Sequence, residues 1–166
     1  LPIRDLSCAW NKITNLDPLG GLSLERLSIR ANPVTSLAPL KNMTSLKVLD
    51  AGKTEISSIE PLKGCRLEAL SIDSTQVSDI SMVSSMPLVL LQLHDCPNIN
   101  DIAPVLGIPK LERLSIPANV KDIQALRGMK SLKILSTKGA APFDAEQQTT
   151  PDEFWAAYDK DKSNGH

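Results

Sequence analysis

Leu24-Glu25-Arg26-Leu27-Ser28-Ile29-Arg30-Ala31-Asn32 decides how this chain folds. Apolar residues stand at the first, fourth and sixth places of the stretch, and a small polar residue closes it at the ninth. The same pattern opens at Ile3, Leu46, Leu67, Leu88 and Leu111, and Leu132-Lys133-Ile134-Leu135 begins a seventh copy that then decays. The intervals between openings are 21, 22, 21, 21, 23 and 21 residues. Self-similarity at a period of 20–29 residues is the signature of a stacked repeat architecture, in which one unit cannot bury its own apolar side.

Each place in the unit has a physical reason. The apolar residues at the fourth and sixth places are two apart, so they point the same way from a strand and face an interior. The residues between them face solvent. Parallel strands stacked at about 4.8 Å form a sheet along the concave side of an arc. The ninth place holds Asn11, Asn32, Thr54, Thr75, Cys96 and Asn119. There the chain turns inward, and a small polar side chain bonds backbone groups that have lost their strand partners. Another interior row follows at Leu16, Leu37, Ile59, Ile80, Ile102 and Ile123, and two residues later comes Pro18, Pro39, Pro61 or Pro104. Proline suits the first turn of a short helix, where its missing N–H removes no bond. The fold class is therefore an α/β repeat: a leucine-rich-repeat solenoid with a parallel concave sheet and short α or 3-10 return segments.

The array spans 1–139, with six full coils over 3–131 and a terminal partial coil. The fifth coil has one extra residue around Pro97-Asn98-Ile99, and the sixth lacks one near Asn119-Val120. Leu1-Pro2-Ile3 repeats the joint Met86-Pro87-Leu88, so an upstream domain or further repeats are expected to cover Ile3 and Leu6. Residues 140–160 form a cap. Four of the five aromatics lie there, and Thr150-Pro151-Asp152-Glu153 reads as a helix start with a capping box. Phe143, Phe154, Trp155 and Tyr158 are expected to close the last coil. Residues 161–166 read as a disordered tail.

The charges nearly balance, 18 Lys+Arg against 19 Asp+Glu, which argues against a nucleic-acid partner. No apolar run reaches the roughly 20 residues of a membrane span. Cys8, Cys65 and Cys96 do not make a disulfide framework, which fits a reducing, cytoplasmic compartment. His94-Asp95-Cys96 is the one tight group of ligand-type residues. Strand alternation aims His94 and Asp95 at the concave surface and turns Cys96 inward, so they do not converge on a metal. The sequence assigns no catalytic residue, no metal ligand and no cofactor.

The coil Leu67–Pro87, with its Ser71-Ile72-Asp73-Ser74-Thr75-Gln76-Val77-Ser78-Asp79-Ile80 core, resembles the bacterial 21–22-residue repeat class that internalins also use. It is more similar still to the repeats at the C-terminal end of planctomycete-type serine/threonine protein kinases, whose arrays often close on a segment like Glu153-Phe154-Trp155. That resemblance implies a regulatory or sensing module beside a catalytic domain; these residues carry no kinase element.

The functional expectation is a non-catalytic module that binds a protein or peptide on its concave face. The alternative is a structural spacer or autoinhibitory arm. The candidate contacts are Trp10, Arg26, Arg30, Val48, Asp50, Lys53, Ala69, Asp73, Leu90, His94, Asp95 and Arg113. Val48, Ala69 and Leu90 would form an apolar strip with Arg26 and Arg113 outside it, and arginine and tryptophan are the commonest binding anchors.

Overall fold

The computed structural model describes residues 3–138 and 148–164. Seven strands lie in one parallel sheet in chain order: β1 (Asp5–Ser7), β2 (Arg26–Ser28), β3 (Val48–Asp50), β4 (Ala69–Ser71), β5 (Leu90–Gln92), β6 (Arg113–Ser115) and β7 (Ile134–Ser136). Their register never slips. Asp5 sits opposite Arg26, Arg26 opposite Val48, and so on to Ile134. The variation in period is absorbed in the turns. A one-residue slip in a strand would move Leu27, Leu49, Leu70, Leu91 and Leu114, all buried, onto the open face.

Every return segment among the described residues of the array is 3-10; none there is α-helical. Asp17–Leu19, Ala38–Leu40 and Glu60–Leu62 have three residues, and Ser81–Ser85, Ala103–Gly107 and Gln124–Gly128 have five. Segments this short suit the tighter i→i+3 winding. A side chain just ahead holds each of five starts. Asn15, Ser36, Ser58, Asp79 and Asp101 accept the backbone N–H two residues on, at 2.7–3.2 Å. The bond from the Ser81 N–H holds the Asp79 carboxyl below its ordinary range. After the three shorter segments the chain reverses through a left-handed residue, Gly21, Asn42 or Gly64, glycine and asparagine being the residues that tolerate this conformation best.

The side chains between sheet and return segments form one continuous core. The inward polar row forms within it. Asn32 Nδ2 donates to the carbonyls of Cys8 and Ile29, both at 2.9 Å, and its Oδ1 accepts the Ile13 N–H. Thr54 and Thr75 each donate to the carbonyl three residues back at 2.7 Å, and Cys96 Sγ donates to the Ile72 carbonyl.

At one end, Leu135 N–H donates to the Thr149 carbonyl, and helix α1 (Pro151–Asn164) packs on β7. The capping box is formed: Thr150 N–H donates to Glu153 Oε2 at 2.9 Å, and the Glu153 N–H returns to Thr150 Oγ1. The Thr150 N–H donated to the Glu153 carboxyl keeps that carboxyl below the usual range. Trp155 is 8% exposed, with Phe154 and Tyr158 half-buried beside it at ring separations of 5.1 and 5.5 Å. Phe143 lies outside the described residues. The helix runs on to Asn164, past Lys160, where the polar composition points to an irregular tail. Lys162 reaches back over the Tyr158 ring, and a cation in the last turn suits the helix dipole. At the other end Ile3 is 59% exposed, and Leu6 and Cys8 are half-buried.

All three cysteines are free, and burial pushes each thiol up from its ordinary value. Cys8 and Cys96 are four coils apart, about 19 Å at strand spacing. Alkylation of native protein at neutral pH followed by mass spectrometry should label Cys8 fastest and recover no Cys–Cys link. Equal rates at all three sites, or a linked pair, would contradict the burial order.

Candidate binding surface

The concave face carries three side-chain rows. The first runs through Arg26, Val48, Ala69 and Leu90, the second through Ser28, Asp50, Ser71 and Gln92, and the third through Arg30, Gly52, Asp73 and His94. They differ sharply in how far their own neighbours satisfy them. In the third row, Arg30 of the second coil reaches across the third coil to Asp73 of the fourth. Its Nη1 and Nη2 donate to Asp73 Oδ1 and Oδ2 at 2.9 and 2.6 Å, and Nη1 also donates to Asp50 Oδ1 at 3.1 Å. Gly52 makes this reach possible. A β-carbon there would stand 2.3 Å from Arg30 Nη1 and 2.4 Å from Asp73 Oδ1. Asp73 is fully buried, so its carboxylate depends on this planar, bidentate partner. The Asp73 hydrogen bond drives the Arg30 guanidinium still higher than its ordinary value, so it is always charged.

The chain of contacts continues. His94 Nε2 lies 3.4 Å from Asp73 Oδ2, and His94 Nδ1 lies 3.0 Å from Ser115 Oγ. At the opposite end Ser28 Oγ donates to Asp50 Oδ2. One side-chain network thus links coils two to six. Ser115, His94 and Asp73 share the residue types of a nucleophilic triad, but their bonds are committed elsewhere. Arg30 holds both Asp73 oxygens, and Ser115 Oγ also accepts the Leu93 N–H. A nucleophile needs its base free to take a proton, with the orienting carboxylate serving that base. The network acts as a clasp.

At the strand ends a second feature repeats. Trp10, Ala31, Lys53, Ser74 and Asp95, at intervals of 21, 22, 21 and 21 residues, all have φ between 54° and 59°. The first four still donate their N–H to the next coil, to the carbonyls of Arg30, Gly52, Asp73 and His94, at 2.8–3.0 Å. The left-handed turn lets the chain keep this last sheet bond while swinging inward. It also throws the side chain outward: Trp10 is 70% exposed, and Lys53 Nζ lies 5.4 Å from its ring centroid. An open groove runs beside the pair, walled by Ala31, Pro33, Glu55 and Ser74 over Asn32 and Thr54.

The structure divides the sequence-derived contact residues into groups. Arg30, Asp50, Asp73 and His94 are joined in the clasp. Val48, Ala69 and Leu90 stand side by side in register, half-exposed, with Arg26 exposed beside Val48 and paired to Asp5 at 3.2 Å. Arg113 follows Leu90 in the same row and is half-buried. Trp10 and Lys53 meet at the strand edge, and Asp95 is exposed further along that edge. Cys96, next to it, turns inward onto the Ile72 carbonyl. Sequence reasoning passed over Gly52, Ser28 and Ser115 as parts of the clasp. The available signal was an arginine and an aspartate in one row on either side of a glycine.

Comparison with known proteins agrees with this architecture. A family model described as leucine-rich repeats (2 copies) matches residues 22–64. No curated protein matches the chain. Among solved structures, an internalin (inlF) from Listeria monocytogenes superposes with a TM-score of 0.72 at 26% identity, over 80% of this chain and 40% of that one. An internalin C2 (inlC2) from the same organism gives a TM-score of 0.69 at 25% identity, over 81% of this chain and 70% of that one. The match thus spans less than half the length of the first and somewhat over two thirds of the second. With the seven-stranded parallel sheet, its 3-10 returns and a repeat-family match over two coils, the chain folds as a leucine-rich-repeat solenoid, similar in fold to these two internalins.

Proposed function

We propose that this solenoid is a non-catalytic protein-binding module that receives a protein or peptide on the concave face. The observation that carries the reading is the strip Val48–Ala69–Leu90. The central members of the second and third rows are drawn into mutual hydrogen bonds, and Asp73, Ser71, Gln92, His94 and Ser115 are buried. The first row has no such partners for its apolar members, which stay half-exposed along the open sheet. Seven strands at about 4.8 Å give a face about 29 Å long, enough for an interface near 800 Å² per partner. An apolar centre with arginines at its margin is how such interfaces are commonly built. No helix among the described residues is long and apolar enough to cross a membrane. The closing Glu153-Phe154-Trp155 segment supports a finer reading, a regulatory or sensing array in a multidomain protein such as a serine/threonine kinase.

A photo-crosslinking amino acid at Leu90 tests the surface, with one at the convex, exposed Ser84 as control. Crosslinking in extract of the source cell should give a discrete adduct from position 90 and none from position 84. Arg26→Ala and Arg113→Ala should each reduce the yield without changing the melting temperature. Equal adducts from both faces, or none from position 90, would remove the concave face as the binding surface.

A further inference from the structure

We propose that Trp10 and Lys53 form a docking shelf for an acidic peptide segment carrying a ring side chain, aromatic or proline, next to a carboxylate. The proposal rests on the protein-binding reading above and names a partner chemistry and a second contact region for it.

Folding gives no reason for a tryptophan at position 10. The residue occupies a left-handed conformation, where every side chain with a β-carbon is strained. Its ring is 70% exposed, so burial returns little of that cost. The equivalent places in coils two and four hold Ala31 and Ser74, which make the same turn with the same sheet bond. A large flat ring held in solvent by a fixed backbone is a preorganised contact surface, and tryptophan is among the most frequent binding anchors.

The neighbouring charge indicates what the ring meets. Lys53 is exposed and pairs with no carboxylate among the described residues; its ammonium rests over the Trp10 ring instead. A cation–π contact of this kind on an exposed surface is weak, so a carboxylate can draw the ammonium away and still leave the ring for a second group. Lys53 is the basic residue among those lining the groove, so a ligand carboxylate is favoured beside the Trp10 ring. Glu55 and Ser74 on the groove walls supply an acceptor and a hydroxyl for the N–H and C=O groups of an extended backbone. Pro33 and Ala31 give the groove an apolar side against which the ring residue's neighbour can lie.

Panning a displayed random-peptide library on the intact chain, with the enriched peptides then synthesised, tests the shelf. The chain has two tryptophans, and Trp155 is buried between the cap helix and the array, so iodide quenching reports on Trp10. Enriched peptides should place Trp, Tyr, Phe or Pro beside Asp or Glu, shield Trp10 from iodide, and bind more weakly as salt rises. Trp10→Ala and Lys53→Ala should each weaken binding about tenfold or more, while Lys53→Arg and the convex Ser84→Ala change it little. Melting temperatures of the variants verify that they fold. Peptides that bind through Leu90 and Arg26 but ignore Trp10 and Lys53 overturn the shelf and leave the concave-face reading standing. Enrichment of basic sequences overturns the stated chemistry. Binding that depends on none of these residues, or no saturable binding, overturns the shelf outright.

Discussion

Arg30→Ala should destabilise this protein by about 3 kcal/mol, an unusually large loss for a residue on an open sheet face. Breaking a buried ion pair from one side costs about 3–5 kcal/mol, because the remaining charge is left without its partner. The Arg30 side chain keeps 23% of its surface, so the low end of that range applies. Asp73 is fully buried, and His94 at 3.4 Å replaces neither of the two short guanidinium bonds. Gly52→Ala should do comparable damage without touching either charge, since its β-carbon would overlap both Arg30 Nη1 and Asp73 Oδ1. The double variant Arg30→Met with Asp73→Leu is the discriminating control. Replacing a buried pair by apolar groups is often neutral or better, so it should recover most of what Arg30→Ala loses. Urea titrations of the four proteins would show this as shifts in midpoint at unchanged slope. If Arg30→Ala and the double variant unfold alike, the loss lies in Arg30 packing over Gly52 rather than in a stranded carboxylate.

The contrast between what could be read from the residues and what could not follows from the range of the interactions. Leu27, Leu49 and Leu70 reveal strands because burial acts on each of them in the same way in every coil, and repetition averages out local exceptions. The in-register sheet and the inward polar row come from the same periodicity. The clasp has no period. Arg30, Gly52, Asp73, His94 and Ser115 occupy five coils once each, and their relation appears only when the rows are stacked side by side. Reading Arg30, Asp73 and His94 as separate surface contacts missed that a guanidinium spans two strand spacings when the residue between has no side chain.

The left-handed row was hidden for another reason. Glycine or asparagine normally signals such a turn, yet Trp10, Ala31, Lys53, Ser74 and Asp95 include neither. The sheet bond made by the N–H of Trp10, Ala31, Lys53 and Ser74, together with the inward anchor one residue later, outweighs the local preference. In the sixth coil, where a residue is missing after Asn119, Ala118 does not adopt this conformation. The Asn15, Ser36, Ser58, Asp79 and Asp101 row was legible in principle. All are small acceptors two residues ahead of the N–H they receive, a motif with a known local geometry.

Cutting the chain after Gly139 should have the second large effect, and its form should differ from that of Arg30→Ala. The cut removes the Thr149 carbonyl that takes the Leu135 N–H, and with it Trp155, Phe154 and Tyr158. Burial of one large apolar side chain contributes roughly 1.5–3 kcal/mol, so losing the mostly buried Trp155 and two half-buried rings costs several kcal/mol. Arg127 loses the Trp155 ring, whose centroid lies 4.0 Å from its guanidinium carbon, together with its Asp159 partner. In a solenoid each coil touches only its neighbours, so this deficit falls first on the seventh strand and the sixth return segment. Hydrogen exchange should therefore show Leu132 and Leu135 amides losing protection while those of Leu49 and Leu70 keep theirs. The Arg30→Ala lesion should weaken the central coils first. The single substitution Trp155→Ala should reproduce most of the truncation's drop in melting temperature, because the tryptophan is the ring of this cap that lies buried on the array. An unchanged melting temperature and unchanged protection at Leu135 in the truncated chain would show that the helix rests on the array without holding it.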